Sequence, residues 1–158
     1  MANKIPSTPA LRLLRKAGVE HVVHAYAYEP RGGTRVSSRE LGIDEHAVIK
    51  TLLFEADGKP LVVLMHGDQK VSAKQLAREV GAKTARPCKP EDAERHSGYK
   101  VGGTSPFGLK KPLPIYAEAS IRDLDRLYIN AGARGFLVSL TPASLEHLIA
   151  PRWVAVTE

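Results

Sequence analysis

The chain carries one cysteine, Cys88, in 158 residues. A single thiol cannot close an internal disulfide, which excludes a disulfide-stapled secreted fold. No stretch approaches the roughly 18 consecutive apolar residues that a spanning helix needs. The start, Met1 to Pro6, has no apolar core of the kind a signal peptide requires, so the expected location is the cytoplasm, without a membrane partner. Metal-ligand patterns are missing too. His46, His66, His96 and His147 stand alone, and His21 and His24 fall near a strand, where they would point to opposite faces. No His-Glu-x-x-His or Cys-x-x-Cys occurs, so neither a metal nor another cofactor is expected. There is no Gly-x-Ser-x-Gly elbow to support a serine hydrolase triad. Cys88 lies in Arg86-Pro87-Cys88-Lys89-Pro90, where positive charge would lower its pKa, yet no histidine is tied to it as a base.

What is present is an ordinary globular composition, 43% hydrophobic and 25% charged, so a packed core is expected rather than disorder. The length suits a single domain over residues 1–158. The net charge of +6 favours an anionic partner, with nucleic acid first.

Thr8-Pro9 reads as a cap followed by proline at the first helical position, with a stop at Gly18. Val22 to Tyr26 reads as a strand, Pro30 to Thr34 as a loop, and Ser37 to Leu41 as a short helix before Gly42. Asp44 can cap a further turn. Val48 to Phe54 and Leu61 to Met65 flank Asp57-Gly58, the strongest hairpin signal in the chain. Ser72 to Val80 and Pro90 to His96 read as helices closed by Gly81 and Gly98. Ile115 to Ala117, Leu127 to Asn130, Phe136 to Leu140 and Trp153 to Val156 read as strands. Thr141-Pro142 opens a last helix to about Ile149. Hairpins mixed with helical crossovers argue against a purely parallel sheet. The expected class is α+β, a mixed sheet with packed helices.

Four constellations could carry chemistry. Lys50 interrupts the apolar run from Val48 to Phe54, on the face shared with Leu52 and Phe54. A lysine there snorkels, pairs with an acid, guards an edge or serves a ligand. Tyr99 to Gly108 contains Gly102-Gly103-Thr104-Ser105-Pro106-Phe107-Gly108. Such a loop lets backbone approach a ligand closely, and its N–H groups can form an anion nest or oxyanion hole. As structure, it is a glycine turn. The turn Asn130 to Gly135 offers Asn130 for a substrate hydrogen bond and Arg134 for a phosphate, or is simply a hairpin. Lys70, Lys74 and Arg78 share a helix face if that helix starts early, and would then meet a nucleic-acid backbone or only solvent.

Taken in order, Lys50-Thr51-Leu52, Gly98-Tyr99 through Gly102-Gly103-Thr104-Ser105-Pro106-Phe107-Gly108 with Lys110-Lys111, and Tyr128 followed by Gly132-Ala133-Arg134-Gly135 resemble the YbaK family. These are editing domains related to the insertion domain of bacterial prolyl-tRNA synthetase. The resemblance runs from about Thr8 to Ile149. It implies a strongly curved mixed sheet and the removal of a wrong amino acid, cysteine or alanine, from the proline tRNA. It implies that Lys50 contacts the tRNA end and that the backbone of Gly102 and Gly103 lies near the scissile ester. Ser105 and Pro106 would shape that turn, and Tyr26 would line the pocket. Carried over with them, Thr51, Thr104, Ser105, Pro106, Asn130 and Gly132 are the expected substrate neighbours. Lys70, Lys74, Arg78, Lys110 and Lys111 are the expected tRNA contacts, and prolyl-tRNA synthetase is a candidate partner. Two positions depart from the family: Asn130 stands where it carries serine, and Leu137 where it carries aspartate.

With no protein nucleophile in view, attack on the ester would come from a water, a tRNA hydroxyl or the substrate's own thiol, helped by proximity. Two rival classes stay open at this level, a non-catalytic RNA-binding module and a small-molecule ester or thioester hydrolase.

Overall fold

The structure, a computed structural model, describes residues 4–158. Met1 to Asn3, part of the reading of the chain start, lie outside the described residues. Helix ends fall where the capping residues put them. The Thr8 hydroxyl accepts from Leu11 N at 3.1 Å and starts α1 (Pro9–Ala17), which Gly18 closes in the left-handed region. Ser72 accepts from Gln75 N and starts α3 (Ala73–Val80), and Thr141 accepts from Ser144 N and starts α5 (Pro142–Ile149). Each such cap is worth about 1 kcal/mol. α4 spans Pro90–Ser97.

α2 spans Gly33–Leu41, four residues longer at its start than the helix expected from Ser37. The two glycines and Thr34 read as loop, but Val36 is 2% exposed. Burying that side chain, worth about 1.5–3 kcal/mol, outweighs the poor helix propensity of the residues before it.

The strands are β1 (Val22–Ala25), β2 (Val48–Ala56), β3 (Lys59–His66), β4 (Ala85–Pro87), β5 (Ile115–Glu118), β6 (Leu127–Asn130), β7 (Phe136–Leu140) and β8 (Arg152–Val154). They form one 8-stranded sheet in the order β1-β7-β6-β2-β3-β5-β8, with β4 on β2. The β2–β3 and β6–β7 hairpins are antiparallel, as are β1–β7 and β2–β4. β2–β6, β3–β5 and β5–β8 are parallel. The sheet is therefore mixed. β4 carries no signal in the sequence because it has three residues and ends in proline, which is tolerated at such a short outer pairing. The last strand ends at Val154, and Val156 instead turns inward to full burial.

Alternation along β2 and β3 feeds two cores. Ile49, Leu53, Val62 and Leu64 pack with Leu11 and Leu14 of α1, Leu145 of α5, Ile129 and Phe107. Phe54, Leu61, Val63 and Met65 pack with Leu76 of α3, Val154 and Val156. Lys50 belongs to the second face by the same alternation, directly opposite Met65.

Candidate functional site

Lys50 pairs with Met65 across the hairpin, and its neighbour Ile49 pairs with Ile129 of β6. The next residue of β6 is Asn130, so β2 and β6 carry Lys50 and Asn130 side by side in register. The Lys50 ammonium is half-buried and donates to the backbone carbonyl of Gln69. Burial lowers its pKa. Glu45 and Asp68 pull it back, while Lys70 lowers it further. Among the described residues Lys50 makes no ion pair. An ammonium has three donors, so two remain for an anion.

Lys70 lies before α3 and not on it, so the single helical face expected for Lys70, Lys74 and Arg78 does not form. Ser72 is the better start because its hydroxyl can cap. Lys74 and Arg78 remain one turn apart on α3, both exposed. Lys70 joins the Lys50 end of the sheet instead, near enough to influence its titration. Lys110 and Lys111 are exposed at the far end of the glycine-rich segment, where Lys111 Nζ lies 3.3 Å from His96 of α4.

The glycine-rich loop is braced from inside. The Tyr99 hydroxyl donates to Phe107 O at 2.6 Å, and burial pushes its pKa up to about 12. Ser105 and Pro106 are buried, and the Ser105 hydroxyl accepts from Phe107 N at 3.1 Å. These two residues shape the turn and present no polar group at the surface. Gly103 N–H donates to Lys100 O at 2.8 Å, which commits one of the two amides expected to face a ligand. The amides of Gly102 and Thr104 have no acceptor among the described residues. Gly102 sits at φ +90, and a Cβ there would lie 2.5 Å from the Tyr28 hydroxyl. Glycine meets both constraints without backbone strain or movement of Tyr28.

The turn after β6 grips this loop. Asn130 Nδ2 donates to Gly102 O at 3.0 Å, and its Oδ1 accepts from Gly132 N at 2.8 Å. Arg134 Nε donates to Val101 O at 2.9 Å, and its guanidinium stacks 5.5 Å from the Tyr28 ring centroid. Tyr26 N donates to Gly135 O at 2.9 Å, which seats half-buried Tyr26 against the same turn. Burial raises the Tyr26 pKa, opposed by Gly135 and assisted by Tyr28.

Lys50, Gly102, Asn130, Gly132 and Tyr26 are thus tied into one region. Thr51 is not part of it. Alternation turns it to the face of Ile49 and Leu53, and its hydroxyl is buried without a partner among the described residues. Cys88 also departs from expectation: burial, Glu55 and Asp92 raise its pKa and outweigh Arg86.

The sequence marks neither Tyr28 nor Ser139; it brings in His24 only as a rejected metal ligand and Tyr128 only as part of the family pattern. His24 and Asn130 both pair with Leu137, and Tyr128 pairs with Ser139, so these side chains share the Lys50 face. His24 Nε2 is 2.9 Å from Ser139 Oγ, and its ring lies 5.3 Å from that of Tyr128. Burial, then Arg126, lowers the His24 pKa. The period-2 pattern His24, Tyr26, Tyr28 was the available signal. Two open depressions lie elsewhere, at the tip of the β2–β3 hairpin. One of ≈ 220 Å³ is lined by Ala56, Lys59, Val80 and Tyr116, and neither includes Lys50 or Gly102.

The profile of the aminoacyl-tRNA editing domain family matches residues 32–148. The chain belongs to this family. Its activity class is aminoacyl-tRNA editing by deacylation, and its substrate class is mischarged aminoacyl-tRNA. It is 28% identical over 152 residues to the "Putative Cys-tRNA(Pro)/Cys-tRNA(Cys) deacylase EbsC" of Enterococcus faecalis, covering 95% of this chain and 93% of that protein. It is 34% identical over 108 residues to a proline–tRNA ligase of Ligilactobacillus salivarius, covering 68% of this chain but only 19% of the ligase. A solved structure described as "a putative trans-editing enzyme for prolyl tRNA synthetase" superposes with a TM-score of 0.85 at 22% identity, covering 98% of this chain and 99% of that one. The hypothetical protein APE2540 superposes at a TM-score of 0.87 and 18% identity, covering 96% of this chain and 100% of that one. The fold of this editing-domain chain is therefore that of these neighbours.

Proposed function

We propose that this editing domain removes cysteine or another small, wrongly attached amino acid from tRNA(Pro), with Lys50 and the Gly102 loop as the two walls of its site. The observation that carries this reading is the juxtaposition of the two walls. β6 runs beside β2, and Asn130 at its end, next in register to Lys50, bonds to Gly102. Lys50, with Lys70 beside it, takes a phosphate of the acceptor end as a point charge. The ester carbonyl then lies against the loop, where the free amides of Gly102 and Thr104 stabilise the oxyanion. Tyr26 lines the amino-acid side, and Lys74 and Arg78 meet backbone phosphates further along. Lys110 and Lys111 extend the basic surface beyond the loop.

The attacking group is a water or the substrate's own nucleophile. Its oxygen or sulfur bonds to the ester carbon, the carbon–oxygen bond to the ribose breaks, and the ribose oxygen takes up a proton. The neutral surroundings of Asn130 and Leu137 favour an uncharged side chain on the amino acid removed. Prolyl-tRNA synthetase is the natural supplier of the tRNA. A panel of mischarged tRNAs tests the proposal. Release of the amino acid from cysteinyl- or alanyl-tRNA(Pro), at enzyme concentrations far below substrate, is expected. Binding without turnover would leave an RNA-binding module. Equal activity on free aminoacyl esters, with no gain from tRNA, would make it a small-molecule hydrolase.

A further inference from the structure

The two peptide units at the tip of the glycine loop are held by side chains of the next turn. The carbonyl of Val101 accepts from Arg134 Nε at 2.9 Å. A trans peptide points its C=O and N–H in opposite directions. Fixing that oxygen on Arg134 therefore aims the Gly102 N–H away from the 130–135 turn. The following unit is pinned at both ends: Gly102 O accepts from Asn130 Nδ2 at 3.0 Å, and Gly103 N–H donates to Lys100 O at 2.8 Å. What remains unbonded at the tip, among the described residues, is the Gly102 N–H. Asn130 is itself fixed, because its Oδ1 accepts from Gly132 N at 2.8 Å, which leaves its amide nitrogen one direction to point. Arg134 is fixed by stacking on Tyr28, whose hydroxyl sits over Gly102.

The geometry points to Asn130 and Arg134 as positioning residues that together clamp the Gly102 amide in place as an oxyanion donor, beside the free amide of Thr104. This inference rests on the deacylase reading above. Asn130 acts through the scaffold: its Oδ1 is engaged by Gly132 N and one Nδ2 hydrogen by Gly102 O, and the second N–H is the only donor it has left. Arg134 acts through Val101 and not chiefly as a phosphate contact. An asparagine is needed because one side chain must accept from Gly132 and donate to Gly102 at the same time. An aspartate at this position can only accept.

The separating variant is Asn130→Asp. It keeps the acceptor for Gly132 and so the turn, but sets a carboxylate oxygen against Gly102 O. Single-turnover deacylation is measured over a range of enzyme concentrations, which yields the limiting rate constant and the half-saturating concentration separately. The expected result is a fall of the rate constant by on the order of ten- to a hundredfold, with half-saturation within about twofold. Arg134→Lys is the second variant, which retains the charge and loses the fixed fork. It is expected to show the same split. Circular dichroism and thermal melting monitor folding. If Asn130→Asp does not fold, Arg134→Lys decides alone. A wild-type rate constant in the folded variants overturns the clamp. So does a pure rise in half-saturation, which would mean that these residues bind tRNA directly. A wild-type protein that releases no amino acid refutes the deacylase reading itself, which keeps the two failures apart.

Discussion

Replacing Gly102 by alanine tests the glycine loop at its most constrained point. Gly102 has φ +90, and the added Cβ would lie 2.5 Å from Tyr28 Oη, 3.2 Å from its Cζ and 3.3 Å from Cε1. The backbone conformation alone costs an L-residue about 1–2 kcal/mol. The clash is relieved by swinging the Tyr28 ring away, since the obstacle is the end of a side chain and not backbone. That movement breaks the Tyr28–Arg134 stack, which contributes about 0.5–1 kcal/mol at an exposed site. The sum, about 1.5–3 kcal/mol, corresponds to a fall in Tm of roughly 3–12 °C for a chain of this size. The loss of activity should exceed what this destabilisation explains, because the displaced group is the proposed oxyanion donor. A fall of about a hundredfold in the single-turnover rate constant is expected under conditions where the variant is fully folded. Tyr28→Phe in the same background removes the closest atom and should recover part of the melting temperature but little of the rate. The assay pairs thermal melting with deacylation of mischarged tRNA(Pro). Wild-type rate and melting temperature in Gly102→Ala would refute both the steric argument and the placement of the ester at this loop.

Lys50→Ala should weaken tRNA-dependent deacylation by at least about tenfold with the fold intact, whereas Lys50→Arg should recover only part of it, because the ammonium is seated on the Gln69 carbonyl; unchanged kinetics in Lys50→Ala would remove this residue from the site. Stability should fall with acid in two stages. Burial lowers the pKa of both His24 and His66 in the folded chain. The unfolded chain therefore binds more protons below the ordinary histidine value of 6.5, and the stability present above it is lost as pH falls through the folded values. Burial raises the Glu118 pKa, but hydrogen bonds from Val156 N, Ser120 N and the Ser120 hydroxyl together outweigh it and hold the group low, which adds a second loss below 4.5 as pH falls through its folded value. Urea titrations from pH 8 to pH 3 read this directly, and a flat profile between pH 7 and pH 5 would contradict the histidine assignment. Cys88→Ser should leave deacylation unchanged, and alkylation of Cys88 at neutral pH should be slow, since burial raises its thiol pKa; loss of activity in Cys88→Ser would reinstate it as a functional group.

Much of the fold was legible because its signals are local. A Ser or Thr cap and a glycine stop act within four residues: α1, α3 and α5 begin where Thr8, Ser72 and Thr141 stand, and α1 and α3 close at Gly18 and Gly81. Asp57-Gly58 likewise specifies its own hairpin. Where the deciding contact is distant, the sequence was silent. Gly33 to Val36 are helical because Val36 finds a core, and β4 is a strand because β2 offers it an edge. The same division runs through the site. The odd lysine in an apolar strand and the glycine-rich loop are visible as anomalies in one dimension, and the family pattern joins them. The resemblance implied backbone donation near Gly102 and Gly103, but not which amide is free. That depends on Lys100 reaching Gly103 and on side chains some thirty residues further along the chain.

By itself, then, the sequence determined most of the element types, the two alternating faces of β2 and β3, the basic balance and the editing-domain family, because each of these follows from neighbouring residues or from their order. Only the tertiary structure decided that Thr51 faces away from Lys50, that Lys70 stands off α3, that Ser105 and Pro106 are buried, and that Asn130 and Arg134 bond to the loop. The reason is physical. A hydrogen-bonding group takes the partner that the packed chain brings within about 3 Å, and which partner that is depends on strand order and register, which no local pattern encodes.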